Sequence, residues 1–406
     1  MKKITLTLIA LCVLLGNAVL KAQYPGKPPA HVVVVMEENY SYADIIGSSS
    51  APYINYVAKQ SYTANMTLAT AIGHPSEPNY LELFSGENQG VTTDLSGPAT
   101  GAPFNDCNIG SSMIQKGHTF IGYAEDQPSV GWISGDQGNY YTKHCPWINW
   151  IGHNTNADTI PITSDVPYSY VKGLYTTGPI FPDSNHYSTL PTMAWVIPNS
   201  VDDMHDGSAS TAIPNGDNWF HTNIMPLIRW SANPANNTVV FIIWDEDDYT
   251  SVSPSDHIPL LVCSGLIIGG NYNTAVNHYS TLKLWEEMYG ITTECANSST
   301  ASEYPSNMWT ITTGIDPVSG ESLNKVTTWP VPAKDELNMN IYSVSADNAK
   351  IALYDMTGRM VKEMPAELKT GDNNMTLSTE GISNGIYFLN VTGDRINICK
   401  KIIVSK

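Results

Sequence analysis

The feature that most constrains this chain is a set of short apolar, β-branched runs that end on acids. HVVVVME (His31–Glu37) leads into Glu38-Asn39, and TFIGYA (Thr119–Ala124) into Glu125-Asp126. TMAWVIP (Thr192–Pro198) leads into Asn199, then Asp202, Asp203, His205 and Asp206, while TVVFIIW (Thr238–Trp244) leads into Asp245-Glu246-Asp247-Asp248. A fifth run, Ile258–Cys263, lacks the acidic exit. Near-continuous hydrophobicity suits strands buried on both faces, and parallel sheets are buried in that way. Helical stretches at Pro52–Lys59, Asp217–Trp230 and Tyr279–Tyr289 lie between or after these runs. In the last, Leu282, Trp285 and Met288 share a face and Gly290 is a stop signal. The alternation predicts an α/β chain: a mainly parallel central sheet between helical layers.

In such a sheet, ligands bind beyond the carboxyl ends of the strands. Four strands delivering acids, an amide and a histidine to one edge would gather hard oxygen donors that repel one another unless a cation lies between them. The pattern therefore points to a divalent metal ion. Asp247 and Asp248 read as solvated loop acids or caps.

Organisation follows from shifts in composition. Lys2 and Lys3, the apolar run Ile4–Leu15 and the small residue before Gln23 describe a secretory leader over residues 1–22. The run is short for a membrane span, and no later stretch is long and apolar enough to be one. Residues 23–315 carry the α/β pattern. Residues 316–332, rich in Pro, Ser, Thr and Gly, read as a linker. Residues 333–406 break into short alternating strands with tight turns, a small all-β sandwich whose apolar positions include Ile351, Leu353, Phe388, Ile396 and Ile402. Charged residues make up only 14% of the chain, and the formal charge is −18. That balance repels phosphate backbones and argues against a nucleic-acid partner.

Beyond Cys12 stand Cys107, Cys145, Cys263, Cys295 and Cys399, an odd number. Spacing favours Cys107 with Cys145, and Cys263 with Cys295, without deciding either. Ser76 precedes Pro78 and the apolar run Leu81–Phe84, good grammar for a helix start. Such a serine is either a simple N-cap or a hydroxyl placed where helix amides favour an anion; spacing does not choose. His205 lies among acids in a loop, His278 opens a helix, and His74 precedes Pro75 beside Ser76. His118, His144, His153, His186 and His221 read as ordinary.

The ordered set HVVVVMEENYSY, HPSEPNYLELFSG, GYAED with PSVG, YTKHCPW, LPTMAWVIPNSVDDMHDGS, GDNWF, WDEDD, HIPLLV and NHYSTLKLWEEMYG resembles the acid phosphatase branch of the bacterial and fungal phosphoesterase family, which includes phospholipases C and is related to alkaline phosphatases. The resemblance implies an α/β/α sandwich with a divalent metal at the strand ends. It implies Glu38, Asn39, Asp245 and Glu246 as metal ligands and Ser76 as the nucleophile. His205 and His278 fall at catalytic positions around the phosphate, with His74 and Asp206 binding phosphate or supporting the site. ENYSYADIIG stands where the phospholipase branch carries ENRSFDHYFG, which favours phosphomonoesters over lipid diesters. The tail, with KIALYDMTGRMV, GIYFLNV and the KKIIVSK ending, resembles the C-terminal sorting domain of the type nine secretion system. That likeness implies passage through secretion machinery to the cell surface or exterior. The sequence thus reads as a secreted, metal-dependent acid phosphatase working through a phosphoserine. A phosphodiesterase or phospholipase C on the same scaffold, and a catalytically silent surface binding protein, are the competing readings.

Overall fold

Val32 to Met36 are wholly buried, whichever way the pleat turns them. The strand they form is therefore covered on both faces. In the computed structural model, residues 24–152, 158–168, 180–250, 255–310, 325–356, 359–393 and 396–406 are described. The leader expected at residues 1–22 and His153 lie outside them. The chain divides into two units, Met1–Ile311 and Thr312–Lys406.

In the first unit the described strands are β1 (His31–Glu37), β2 (Thr63–Thr70), β3 (Phe120–Ala124), β4 (Asp165–Pro167), β5 (Met193–Ile197), β6 (Thr238–Trp244), β7 (Leu260–Cys263) and β8 (Gly270–Asn277). They form one sheet in the order β4-β3-β5-β1-β6-β7-β2-β8. Each pairing is parallel except those of β7, which runs antiparallel to both β6 and β2. β2 and β8 carry no continuous apolar run and escape detection in the sequence. Asn65 in β2 is buried with its amide on Tyr42 Oη (2.8 Å) and Asn271 Oδ1 (3.0 Å).

The helices are α1 (Tyr42–Ile45), α2 (Pro52–Val57), α3 (Ser76–Ser85), α4 (Ile109–Gln115), α5 (Ala209–Asn223), α6 (Met225–Ser231) and α7 (His278–Met288). α3, α4 and α7 pack together as one layer, and α2, α5 and α6 as the other. The result is an α/β/α sandwich. The single helix expected over Asp217–Trp230 is instead two. α6 starts at Met225 with Pro226 in its first turn, where the missing N–H costs no hydrogen bond. α7 buries Leu282, Trp285 and Met288, and Gly290 follows with a positive φ of 60°.

The cysteine pairing differs from the one that spacing favours. Cys107 is bonded to Cys295, while Cys145 and Cys263 are free and buried. The reason is tertiary: α4 packs on α7, so the residue just before α4 meets the residue shortly after α7.

The second unit holds β9 (Lys325–Trp329), β10 (Glu336–Ser343), β11 (Asp347–Asp355), β12 (Met360–Leu368), β13 (Gly371–Ser378), β14 (Gly385–Thr392) and β15 (Asn397–Val404). They form sheets ordered β13-β10-β9 and β12-β11-β14-β15. Leu337, Met339 and Ile341 of one sheet share a core with Ile351, Leu353, Leu389, Val391 and Ile402 of the other. Two expectations need correcting. β9 lies inside the stretch expected as linker, because Val326-Thr327-Thr328-Trp329 has strand character and pairs with β10. Phe388 is only half-buried and lies outside the core, since the pleat turns its neighbours Tyr387 and Leu389 inward instead.

This register is testable. Leu389→Ala should destabilise the tail by ~2–5 kcal/mol, as other buried Leu truncations do, and Phe388→Ala by clearly less. Hydrogen exchange of the tail amides in the full chain measures both; equal losses would refute the register.

Candidate active site

The carboxyl ends of β1, β2, β5, β6 and β8 open on one edge of the sheet, and β7, running the other way, brings the residues before it to the same edge. Three of the four acidic exits converge there. The backbone knits them together beyond the ladder: Glu38 N donates to Asp203 O (2.7 Å), and Asp245 N to Glu37 O (3.1 Å). Asn39 turns the chain with a φ of 54°, and its N–H donates to Asp245 Oδ1 (3.2 Å). The fourth exit, after β3, opens on the same edge but stops at its neighbour: Glu125 accepts from Asn199 N, and Asp126 from the Asn199 side chain.

Ser76 is the first residue of α3 and is buried; the N-cap is Pro75. The capping alternative therefore fails: its hydroxyl turns away from the helix, 3.1 Å from Glu246 Oε1 and 3.3 Å from Glu38 Oε2. Glu38 also accepts from Tyr80 Oη on α3. The hydroxyl thus lies between two strand-end carboxylates at a helix N-terminus, where the helix dipole favours an anionic oxygen.

Burial dominates the electrostatics. It pushes Glu38 and Asp203 well above the usual carboxylate range, and Asp245 beside both raises them further. Burial likewise lifts Asp245 to about 6 and, with repulsion from Asp245, Glu246 to about 9. Asn39 Oδ1 and Asp245 Oδ2 are buried without a hydrogen-bond partner. Carboxylates that resist ionisation beside unpartnered oxygens are the donor set that a hard divalent cation satisfies, so these residues fit a metal. Two further groups hold ligand atoms within 4.8 Å of one another: Glu38 with His144 and His205, and His74 with Asp247 and Asp256.

The histidines divide by position. His205 borders a cleft of about 400 Å³ that is also lined by Asn39, Ser76, Lys143, Glu246 and Tyr249. Its Nδ1 is 2.8 Å from Asp206 Oδ1, so Asp206 orients the ring. His74 bonds Glu246 Oε2 through Nδ1 (2.9 Å), its Nε2 lies 3.2 Å from Asp247 and 3.0 Å from Asp256, and Tyr249 stacks on it. His278 does not reach the cleft. It is fully buried behind Asp245, donating from Nε2 to that residue's carbonyl (2.6 Å), and burial lowers it to about 4.

His144, read as ordinary in the sequence, belongs to the site: Nε2 is 3.1 Å from Glu38 Oε1 and Nδ1 3.2 Å from Asp203 Oδ2. Burial holds it neutral, with a pKa well below the usual imidazole value. Asp247 is also not a solvated loop acid but a buried partner of His74. Lys143 and Asp94 were missed as well. His144, Lys143 and Asp94 follow no recognisable strand, and Lys143 and His144 lie on a short 3₁₀ turn, Thr142–His144. The available signal was a Lys-His pair in a chain with 20 basic against 38 acidic residues.

Comparison with known proteins places this geometry. Residues 51–292 match the phosphoesterase family, and residues 327–405 match the secretion system C-terminal sorting domain. A phosphatidylinositol-3-phosphatase of Mycobacterium tuberculosis is 39% identical over 262 residues, covering 64% of this chain and 77% of that protein. A probable acid phosphatase of Kluyveromyces lactis is 26% identical over 261 residues (61% of this chain, 55% of that protein). The acid phosphatase of Aspergillus fumigatus is 24% identical over 265 residues (63% and 53%), so the chain spans about half the length of these fungal relatives. A solved structure of a protein in the alkaline phosphatase superfamily from Vibrio parahaemolyticus superposes with a TM-score of 0.44 at 13% identity, covering 85% of this chain and 84% of that one. With the family match spanning residues 51–292 and the site built at the strand ends, this chain belongs to the phosphoesterase family.

Proposed function

We propose that the chain is an exported, divalent-metal-dependent phosphomonoesterase of the acid phosphatase kind that works through a phosphoserine at Ser76. The observation that carries the reading is the Ser76 hydroxyl, set at the start of α3 between Glu38 and Glu246. The names of the relatives, acid phosphatases and a phosphatidylinositol-3-phosphatase, support a phosphatase.

Glu38, Asn39, Asp245 and Glu246 would hold the cation, which when bound supplies the positive charge that lets these carboxylates and the serine oxygen ionise together. Ser76 presents Oγ to phosphorus with its proton on the hydrogen bond to Glu246. The Ser76 N–H at the start of α3, with the helix dipole behind it, serves the oxygens on which charge gathers; Glu77 N is taken by Asp94 and Pro78 has no N–H. Attack forms the Ser76 phosphate ester and breaks the bond to the alcohol, which takes up a proton from water in the cleft, while His205, its ring steadied by Asp206, lines the phosphate site. His278 serves by fixing the Asp245 backbone. Water then cleaves the ester, releasing phosphate and restoring Ser76. The leader and the sorting-domain tail support export through the type nine route; among the described residues no helix is long and apolar enough to cross a membrane.

Three outcomes follow. Ser76→Ala should lower kcat on p-nitrophenyl phosphate by at least ~10²-fold, and near-normal turnover by the folded variant would remove Ser76 from this role; faster wild-type turnover of the bis-ester would favour the diesterase reading. Second, metal-stripped protein should lose activity and recover it with a divalent ion. Because Asp245 and Glu246 are raised to about 6 and about 9, the stripped fold holds protons that the unfolded chain has shed. Its stability is complete below their ordinary values of 3.8 and 4.5 and declines as pH rises through the raised ones. Tm should therefore fall with rising pH and be restored most by the ion at the alkaline end; a flat profile indifferent to the ion contradicts the metal site. Third, a chain ending near residue 316 should keep its specific activity and stay in the periplasm of its host, and retained export would show that the tail is not the sorting signal.

A further inference from the structure

Among the described residues that line the cleft, Lys143 is the one lysine or arginine; Asp94, Glu246, Asp247 and Asp248 line it with the opposite sign. Its side chain is 11% exposed, and Nζ donates to Asp94 Oδ2 at 2.7 Å. The other oxygen, Asp94 Oδ1, accepts from Glu77 N at 2.9 Å, the amide next to Ser76 in the first turn of α3. One carboxylate therefore ties the ammonium to the helix end that carries the proposed nucleophile. A second contact fixes its direction. His205 Nδ1 lies on Asp206, so the network assigns the ring proton there and leaves the Nε2 lone pair to accept from Lys143 Nζ at 3.2 Å. An ammonium has three hydrogens; Asp94 and His205 engage two, and the residue faces the cleft with the third.

A phosphomonoester and a diester differ in what such a cation can grasp. The monoester has three terminal oxygens and up to two negative charges, the diester two oxygens and one charge. In a cleft walled by carboxylates, the extra charge is repelled unless a fixed cation receives it. We propose that Lys143, held in place by Asp94, binds the third terminal oxygen of the substrate phosphate and so sets the preference for monoesters over diesters. This rests on the reading of Ser76 as the nucleophile of a phosphatase. Lys143 is then a catalytic residue in direct contact with substrate, and Asp94 is its positioning residue.

The test uses the full chain with p-nitrophenyl phosphate, bis(p-nitrophenyl) phosphate and inorganic phosphate. Lys143→Met should reduce kcat/KM for the monoester by ~10²-fold, the scale of one lost charge-assisted donor in a water-poor site, and reduce that for the bis-ester far less, ~3-fold or under. Lys143→Arg should recover most of the monoester rate, and Asp94→Asn should shift the ratio of the two esters in the same direction as Lys143→Met by a smaller factor. Equal losses on both esters, or an unchanged monoester rate, would overturn the assignment. If Lys143→Met does not fold because Asp94 is left unpaired, the double variant with Asp94→Asn carries the same comparison. Should the wild type hydrolyse neither ester, the phosphatase reading fails and inorganic phosphate alone decides the contact. A rise in Tm with phosphate that Lys143→Met abolishes keeps it, and the same rise in both proteins removes it.

Discussion

Several carboxylates withdrawn from water at one sheet edge govern this structure. Glu38, Asp203 and Asp245 are fully buried and Glu246 nearly so. An ionised carboxylate away from water costs several kcal/mol unless it is paired and hydrogen-bonded, so four together cannot all be charged in isolation. The fold supplies what neutral partners it can: Tyr80, the Ser76 hydroxyl and the Asn39 main-chain amide. Those partners leave Asn39 Oδ1, Asp203 Oδ2 and Asp245 Oδ2 unmet. The remaining deficit is one of positive charge, which is what the proposed cation would supply.

The scaffold is built to hold that deficit. Adjacent parallel strands β5, β1 and β6 release their chains at one level, so Glu38, Asp203 and Asp245 emerge side by side. Asn39 and Met204 then adopt positive φ values of 54° and 78°, uncommon for residues with a side chain and tolerated where surrounding bonds fix them. The bonds are present: Glu38 N to Asp203 O, Asn39 N to Asp245 Oδ1, and His278 behind Asp245. β7 contributes by running the wrong way. Its reversed direction puts Asp256 at the active edge, where it meets His74 from the β2 exit and Asp247 from the β6 exit.

Much of this was legible in the sequence, for a physical reason. Strands buried on both faces must be apolar throughout, so β1 and β6 declare their limits, and the acids after them stand out against that background. Glu38, Asn39, Asp245 and Glu246 were accessible in this way, whereas Ser76 showed only as a helix start and took its expected role from the family resemblance. What was hidden depends on three-dimensional closure. β2 and β8 carry polar residues that find partners only across the sheet, as Asn65 does with Asn271. His144 and Lys143 lie on a 3₁₀ turn with no periodicity to betray a facing direction. The partner of Cys107 is Cys295, 188 residues away, a distance that local spacing cannot express. In the tail, a shift of one residue separated the core position Leu389 from Phe388, because strand pleating makes adjacent residues opposites.

The charge of the whole molecule bears on how such a site gathers substrate. At a formal −18, the protein repels a phosphate ester at long range. At physiological ionic strength this field fades beyond about 8 Å, so the approach is hindered little, but neither is it steered. Whatever favours phosphate must therefore act inside the cleft, within contact distance. The candidates there are few: a cation that the strand-end acids would hold, the Ser76 N–H at the start of α3, and the ammonium of Lys143. All lie against carboxylates, and that placement is selective. A weakly charged or diffuse anion gains too little from any one of them to offset the acidic walls. A compact dianion that touches several at once gains from all. Binding by simultaneous contact, rather than by a positive surface, is how an acidic protein with the proposed function would recognise phosphate without collecting every polyanion around it.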